Sequence, residues 1–209
     1  MKRHIGVACL MLCVSAMSAM AQDVRITQEI NKVSVTLGGS DVIIERNQNQ
    51  NNRLSSEFTK TSRPCPPFCI QPMSLGQGVQ TFGELEVISF LQGDVQSGSG
   101  LLIDTRLPEW YDKGSIPGAV NLPFSTLEAD NPFRDEILRA LGASDSSGTW
   151  DFSGAFSLAL FCNGPWCEQT AVAVSALLDV GYPAEKLKFY RGGMQSWLLL
   201  GLTTTTSAG

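Results

Sequence analysis

The residues of this sequence best suited to chemistry are four cysteines in two close pairs, Cys162 with Cys167 and Cys65 with Cys69. The residues Asn-Gly-Pro-Trp separate the first pair, and Pro-Pro-Phe separates the second. A thiolate is a nucleophile, and two neighbouring thiols can exchange with a disulfide, so each pair predicts sulfur or thiol redox chemistry. The alternative for each pair is a structural disulfide, the usual state of paired cysteines in an exported protein.

Cys162 lies between a predicted strand, 157–161, and a predicted helix, 168–180. A cysteine in this position faces unpaired backbone N–H groups and the positive end of a helix dipole. These donors lower the pKa of a thiol from its ordinary value of about 8.5, so we predict Cys162 as the nucleophile. The loop residues predicted to surround it are Asn163, Gly164, Pro165, Trp166, Glu168, Gln169 and Thr170.

The second cysteine of each pair leaves alternatives open. Cys167 could resolve a persulfide or sulfenic acid on Cys162 into a disulfide, or it could form a permanent bridge with Cys162. For Cys65 and Cys69, the surrounding prolines stiffen the chain and favour a local disulfide. The alternative is a second redox pair that exchanges electrons or sulfur with Cys162. We predict no metal site.

The first 21 residues have the pattern of a secretory signal peptide. Lys2 and Arg3 precede an apolar run that ends in Ala-Met-Ala at Ala21. This run is short for a membrane span and is followed by polar residues. We therefore expect cleavage after Ala21, a periplasmic or secreted protein, and no integral membrane segment in the mature chain; an uncleaved anchor is the alternative.

Cleavage changes the charge and the chemical inventory of the chain. It removes Lys2 and Arg3, which leaves 13 of the 15 basic residues beside 20 acidic residues, a formal charge of −7. We expect no nucleic-acid partner for so acidic a chain. Cleavage also removes His4, the sole histidine of the sequence. The mature protein therefore has no imidazole for a Cys-His dyad or a zinc site.

Helix and strand patterns alternate from Thr81 onward and predict an α/β fold with a mainly parallel sheet. Two β-rich runs around Gly38-Gly39 predict an N-terminal hairpin, and the tail 203–209 has little to bury and is expected to fray. The predicted helices are 82–91, 131–141, 168–180 and a short helix around Trp197, and the predicted strands are 101–104, 157–161 and 186–190. The predicted organisation is a signal peptide (1–21), an N-terminal extension (22–80) and one principal domain (81–203).

Three ordered motifs of this domain resemble those of the rhodanese-like family. Residues 101–106 with 109–123 resemble a first signature in which a strand ends in Asp-x-Arg and leads to Gly-His-Ile-Pro-Gly-Ala, with Ser115 in place of His. Residues 162–170 occupy the position of the active-site loop, and 190–197 resemble the closing Gly-Gly-x-x-x-Trp. The resemblance implies a three-layer fold, with a mainly parallel central sheet flanked by helices, to which the hairpin extension is added.

The resemblance also implies the activity. Cys162 would carry sulfane sulfur as a persulfide, taking it from a small sulfur-containing donor and passing it to a thiol acceptor, a redox protein among them, with no cofactor. We therefore predict a periplasmic sulfurtransferase. The alternatives are a thiol-disulfide switch that uses Cys162 and Cys167, and a non-catalytic binding module in which disulfides lock all four cysteines.

The charge of the loop bears on the substrate. Family members that act on thiosulfate usually have cationic side chains in or beside the loop, whereas this loop has none and adds Glu168. Thiosulfate is therefore not the expected donor. Arg106 and Arg191 could supply positive charge from neighbouring segments, although Arg106 could instead pair with Asp104.

Overall fold

The computed structural model describes residues 23–146 and 148–206, so the predicted signal peptide lies outside the described residues. The strands are β1 (Lys32–Leu37), β2 (Ser40–Glu45), β3 (Gln80–Phe82), β4 (Gly100–Asp104), β5 (Ala119–Asn121), β6 (Ser144–Ser146), β7 (Thr149–Asp151), β8 (Ser157–Phe161) and β9 (Leu187–Tyr190). The helices are α1 (Ser56–Thr59), α2 (Glu84–Phe90), α3 (Pro108–Tyr111), α4 (Arg134–Ala140), α5 (Gln169–Asp179) and α6 (Gly193–Leu199).

A five-stranded parallel sheet forms the centre of the protein, in the order β3-β9-β8-β4-β5. The predicted α/β fold is confirmed. The short strands β3 and β5 at the two edges were not among the predicted strands. Strand β8 occupies the middle of the sheet, and Cys162 follows its last residue. The cysteine therefore lies at the carboxyl edge of the sheet, where ligands of open α/β folds bind.

Both faces of the central sheet are buried, which explains the continuous apolar runs of its strands. Alternate residues of β8 point to opposite faces because side chains in a strand alternate. Leu158 and Leu160 join the core formed with α4 and α5, whereas Ala159 and Phe161 join the core formed with α2, α6 and the hairpin. The sheet and these two covering layers give the predicted three-layer arrangement.

The predicted N-terminal hairpin is confirmed, and its inward-facing residues are part of the core. Strands β1 and β2 pair antiparallel around Gly38 and Gly39, whose φ angles of 57° and 84° suit the tight turn of a two-residue hairpin. Val35 and Ile44 are fully buried and belong to the same core cluster as Leu102 of the central sheet. The hairpin therefore completes one face of the domain.

Thr203 and Thr205 are held in place, so the predicted fraying of the tail is wrong for these two residues, while 207–209 lie outside the described residues. The Thr203 backbone N–H donates to the carbonyl of Glu45 at 3.0 Å, and Trp197 Nε1 donates to the Thr203 carbonyl at 2.8 Å. Thr205 exchanges backbone hydrogen bonds with Ser115. These bonds join the tail to the hairpin and to the loop before β5. In the described part of the chain, no helix has the length and apolar character of a membrane span.

Neighbouring isoleucines of β2 provide a test of hairpin packing. Ile44 is fully buried, whereas Ile43 points outward and is 40% exposed. We expect Ile44→Ala to lower the free energy of unfolding by about 2–5 kcal/mol, because it leaves a cavity in the core. Ile43→Ala, the matched control, should cost less than about 1 kcal/mol. Equal losses in urea denaturation of the two variants would contradict the packing of the hairpin against the sheet.

Candidate active site

The loop that follows β8 is fixed against the start of α6. The backbone N–H groups of Met194 and Gln195 donate to the carbonyls of Cys162 and Asn163, at 3.0 and 2.9 Å. Gly193 has a φ of 54°, and a Cβ atom there would lie 2.4 Å from the Cys162 carbonyl oxygen. Glycine is therefore required at position 193 both by the backbone conformation and by the close approach of the start of α6 to the loop after β8.

Cys162 is a buried thiol surrounded by hydrogen-bond donors, and it is 3% exposed. Burial raises the pKa of this thiol, but hydrogen bonds from the Cys167 thiol, the Thr170 hydroxyl and the backbone N–H groups of Thr170 and Gly164 outweigh burial and lower the pKa to about 7. A substantial fraction of Cys162 is therefore thiolate near neutral pH. No imidazole is needed for this activation.

Cys167 is the partner of Cys162 in the loop, and both are free thiols in the structure. The hydrogen bond between the two thiols, together with burial and the negative charge of Cys162, raises the pKa of Cys167. When Cys162 is protonated, its Sγ donates to the Cys167 carbonyl at 3.2 Å. The two thiols therefore differ in role: Cys162 is the thiolate and Cys167 keeps its proton.

Thr170 is held in place by a second buried threonine. The Thr105 hydroxyl donates to the Phe161 carbonyl at 2.9 Å and lies 3.0 Å from the Thr170 hydroxyl. Both threonines are fully buried. Thr105 follows β4 and Thr170 lies in the first turn of α5, so two neighbouring segments of the sheet edge orient one donor to the thiolate. Thr105 was not predicted from the sequence.

The second cysteine pair lies in a segment that packs on the active-site loop. Cys65 and Cys69 form a disulfide. The ring of Phe68, between them, packs edge-on against Trp166 with centroids 5.7 Å apart. Gln71 then donates its backbone N–H to the Pro165 carbonyl at 2.8 Å. The predicted local disulfide is thus present, and the extension that contains it covers part of the loop.

A cavity of about 220 Å³ lies between this segment and the loop. Its wall contains residues of the loop and of the extension, together with Trp110 of α3 and Phe124. The extension contributes Arg63, whose guanidinium carbon lies 3.9 Å from the centroid of the Trp166 ring. The loop contributes Asn163, Cys167 and Glu168. Arg63 thus brings to the loop a positive charge that the loop's own sequence lacks.

The family assignment rests on the principal domain. The model of the Rhodanese-like domain family matches residues 89–200, more than half of the 209-residue chain. The chain belongs to this family. The resemblance inferred from the three sequence motifs is therefore confirmed, as is the rhodanese-like arrangement of the parallel sheet and its covering layers.

Individual relatives of this rhodanese-like domain are distant. A human single-domain sulfurtransferase is 25% identical, with 58% of this chain and 96% of that one aligned and a TM-score of 0.41. A thiosulfate sulfurtransferase from Pseudomonas aeruginosa is 20% identical, with 61% of this chain and 20% of that one aligned and a TM-score of 0.42. An HTH-type transcriptional regulator of Mycobacterium tuberculosis is 28% identical over 113 residues, 54% of this chain; the match spans 41% of the regulator.

The first signature of the rhodanese-like domain forms a buried structural cluster. Arg106 and Asp104 make an ion pair at 2.5 Å, and Arg106 also donates to the Gly114 carbonyl. Ser115, which replaces histidine, donates its hydroxyl to Asp104 at 2.6 Å. Because the charge of Arg106 is neutralised by Asp104, Arg106 does not supply an unpaired cation to the loop. The predicted alternative, pairing with Asp104, is the arrangement found.

Arg191 also has a structural partner. Its Nε and Nη2 atoms donate to the Gln71 carbonyl at 3.1 and 2.9 Å, so it fastens the extension to the end of β9. Arg191 does not line the cavity beside Cys162. The cation at that cavity is Arg63, which sequence analysis missed. Arg63 precedes the Cys65–Cys69 pair closely in sequence, but none of the three family motifs extends that far.

The pKa of Cys162 can be tested through Thr170. Alkylation by iodoacetamide requires the thiolate, so the rate at Cys162 should rise with pH through a midpoint near 7. Thr170→Val removes a donor to the thiolate and should move the midpoint upward by about one unit. Thr149→Val is the matched control, since Thr149 is exposed on β7 and makes no contact with the thiolate, and it should cause no upward shift. An unchanged midpoint in Thr170→Val would refute the role of Thr170.

Proposed function

We propose that this protein is an exported sulfurtransferase that carries sulfane sulfur as a persulfide on Cys162. The observation that carries the proposal is the buried Cys162 thiol, whose pKa is lowered to about 7 by donors from its own loop and helix. Backbone N–H groups at a helix start bind anions in general, so the same loop can also stabilise the anion of a persulfide, whose charge lies one S–S bond further out. Membership of the rhodanese-like family supports this assignment.

The transfer requires two displacements at sulfur. In the first, the Cys162 thiolate attacks the outer sulfur of a donor R–S–SH; the donor's S–S bond breaks, R–S⁻ leaves with the electron pair, and Cys162–S–SH forms. In the second, an acceptor thiolate attacks the outer sulfur, takes the SH group, and releases Cys162 as thiolate. Neither step needs a cofactor. The low pKa of Cys162 helps the second step, because a more acidic thiol is a better leaving group.

Export is supported by the sequence before Gln22 and by the Cys65–Cys69 disulfide. Disulfides persist in oxidising compartments such as the periplasm. An acceptor in that compartment would be a small thiol or a thiol group of a redox protein. The mature chain would start at Gln22, and its mass reports directly whether residues 1–21 have been removed.

The persulfide can be detected by intact-mass measurement. Mature protein incubated with a small organic persulfide should gain the mass of one sulfur on Cys162, and Cys162→Ser should abolish the gain. The Cys65→Ser/Cys69→Ser double variant is the control, and it should retain the adduct because neither residue lies in the loop. An adduct that survives in Cys162→Ser would sink the assignment.

A second candidate function is thiol-disulfide exchange, which the hydrogen bond between Cys162 and Cys167 favours. Once Cys162 carries a persulfide, the Cys167 thiolate could attack the inner sulfur, which forms the Cys162–Cys167 disulfide and releases HS⁻. An external thiol reductant would then restore both thiols. Under this hypothesis Cys167 is the resolving residue.

Cys167→Ser separates the two candidates. If Cys167 resolves the persulfide, this variant should accumulate Cys162–S–SH and release HS⁻ more slowly than the parent protein. If sulfur passes directly to an external acceptor, the transfer rate should change less than about threefold, because the serine hydroxyl can still donate to Cys162. A parent protein without free thiols before reduction, together with a Cys167→Ser variant that gains an activity the parent lacks, would contradict both candidates and indicate a structural bridge.

A further inference from the structure

The cavity beside the active-site loop contains two polar groups with unused hydrogen-bonding capacity. Asn163 is 5% exposed and lines the cavity, and within the described chain its Oδ1 atom has no hydrogen-bond partner. Arg63 lines the same cavity, and its buried Nε atom likewise has no partner among the described residues. Buried polar atoms are normally paired, so an unpaired acceptor and an unpaired donor in one wall indicate a ligand that supplies both.

Arg63 is positioned to bind an anion. Its guanidinium stacks on Trp166 and lies 5.3 Å from the ring of Phe68, and its Nη2 atom donates to the Glu57 carbonyl at 2.5 Å. These contacts fix the plane of the guanidinium. A planar guanidinium held in this way matches the two oxygens of a carboxylate.

The remaining residues that line the cavity, and its volume, indicate which other groups the ligand contains. Glu168 lines the cavity and favours a positively charged or N–H-bearing group over a dianion. Phe68, Trp110 and Phe124 offer apolar surface to a carbon chain. The volume of about 220 Å³ is below the roughly 300 Å³ at which pockets for drug-sized ligands begin. The occupant is therefore a small organic molecule.

The cavity also lies beside the nucleophile. Asn163 directly follows Cys162, and Cys167, another wall residue, hydrogen-bonds to Cys162 through its thiol. Cys162 does not itself line the cavity, so the outer sulfur of a molecule bound between Arg63 and Asn163 must reach past Asn163 and Cys167 to meet it.

We propose that this cavity binds the sulfur donor, and that the donor is the persulfide of an amino-acid-type thiol, with its carboxylate on Arg63 and its N–H group on Asn163. This inference rests on the proposed sulfurtransferase function and specifies its substrate. The reaction is the first displacement given above: the bond between the donor's two sulfurs breaks, Cys162–S–SH forms, and the amino-acid thiolate leaves. Thiosulfate fits this site poorly because it has neither an N–H group nor a carbon chain.

A panel of matched donors tests the site in the parent protein. The persulfides of cysteine, cysteine methyl ester and 3-mercaptopropionate differ in the carboxylate and the N–H group. The second-order rate of adduct formation at Cys162, followed by intact mass, should be highest for the cysteine persulfide. Each of the other two should be about tenfold slower or more, the effect of losing one hydrogen bond to a charged or buried partner.

Variants then assign each preference to a residue. Arg63→Gln should abolish the advantage of the carboxylate, so that the ratio of the rates with the cysteine persulfide and with its methyl ester falls to about one. Arg53→Gln is the matched control, because it makes the same charge change in the extension but lies outside the cavity. Asn163→Ala should abolish the advantage of the N–H group. Arg63→Lys, which keeps the charge, should retain part of the carboxylate preference even if Arg63→Gln fails to fold.

Binding of unreactive S-methylcysteine, followed by tryptophan fluorescence, separates failure of this inference from failure of the proposed function. Trp110 and Trp166 line the cavity and should report the ligand. Binding that Arg63→Gln weakens, without an adduct from any persulfide, would support the site and remove the sulfurtransferase assignment. Adducts that form on Cys162 at equal rates with all three donors would overturn the inference and leave the sulfurtransferase intact.

Discussion

The burial of a negative charge on Cys162 is the constraint on which the rest of the site depends. An ionised group taken out of water is costly unless donors compensate it. Here the compensation comes from the loop after β8, from the first turn of α5 and from the Cys167 thiol. Gly193 allows α6 to approach the loop closely enough to hold the carbonyls of Cys162 and Asn163. The reactivity of one sulfur therefore requires the relative placement of three elements of the fold.

The N-terminal extension contributes residues both to the active-site cavity and to the hydrophobic core. The hairpin completes one face of the domain, and the segment after it reaches the loop through Phe68, Gln71 and Arg63. The Cys65–Cys69 disulfide closes a short turn at that point, which restricts the chain just beside Arg63. The loop supplies hydrogen-bond donors to the thiolate but no cation, and positive charge comes from Arg63 outside it. Such an arrangement separates activation of the thiolate from recognition of the substrate.

The fold and the loop could be predicted from the sequence because both depend on local patterns. Buried strands such as β8 are continuous apolar runs, and the position of Cys162 between strand and helix indicates its donors. Edge strand β3 has three residues and no distinctive pattern, so it was missed. Arg63 was missed for a different reason: its place beside Trp166 depends on how the extension crosses the domain surface. Contacts between segments distant in sequence leave no periodicity for a single sequence to reveal.

The coupling of the two loop thiols imposes an order on any chemistry they share. While Cys162 is a thiolate, its hydrogen bond with the Cys167 thiol, burial and its charge together raise the pKa of Cys167, which therefore remains a proton donor and does not compete as a nucleophile. When Cys162 accepts sulfur, the negative charge moves outward to the terminal sulfur or is lost by protonation. The effect of that charge on the pKa of Cys167 then becomes smaller. Cys167 thus becomes easier to ionise after Cys162 has reacted. One hydrogen bond can in this way activate the first thiol and delay the second, whether the sulfur leaves to an external acceptor or as HS⁻.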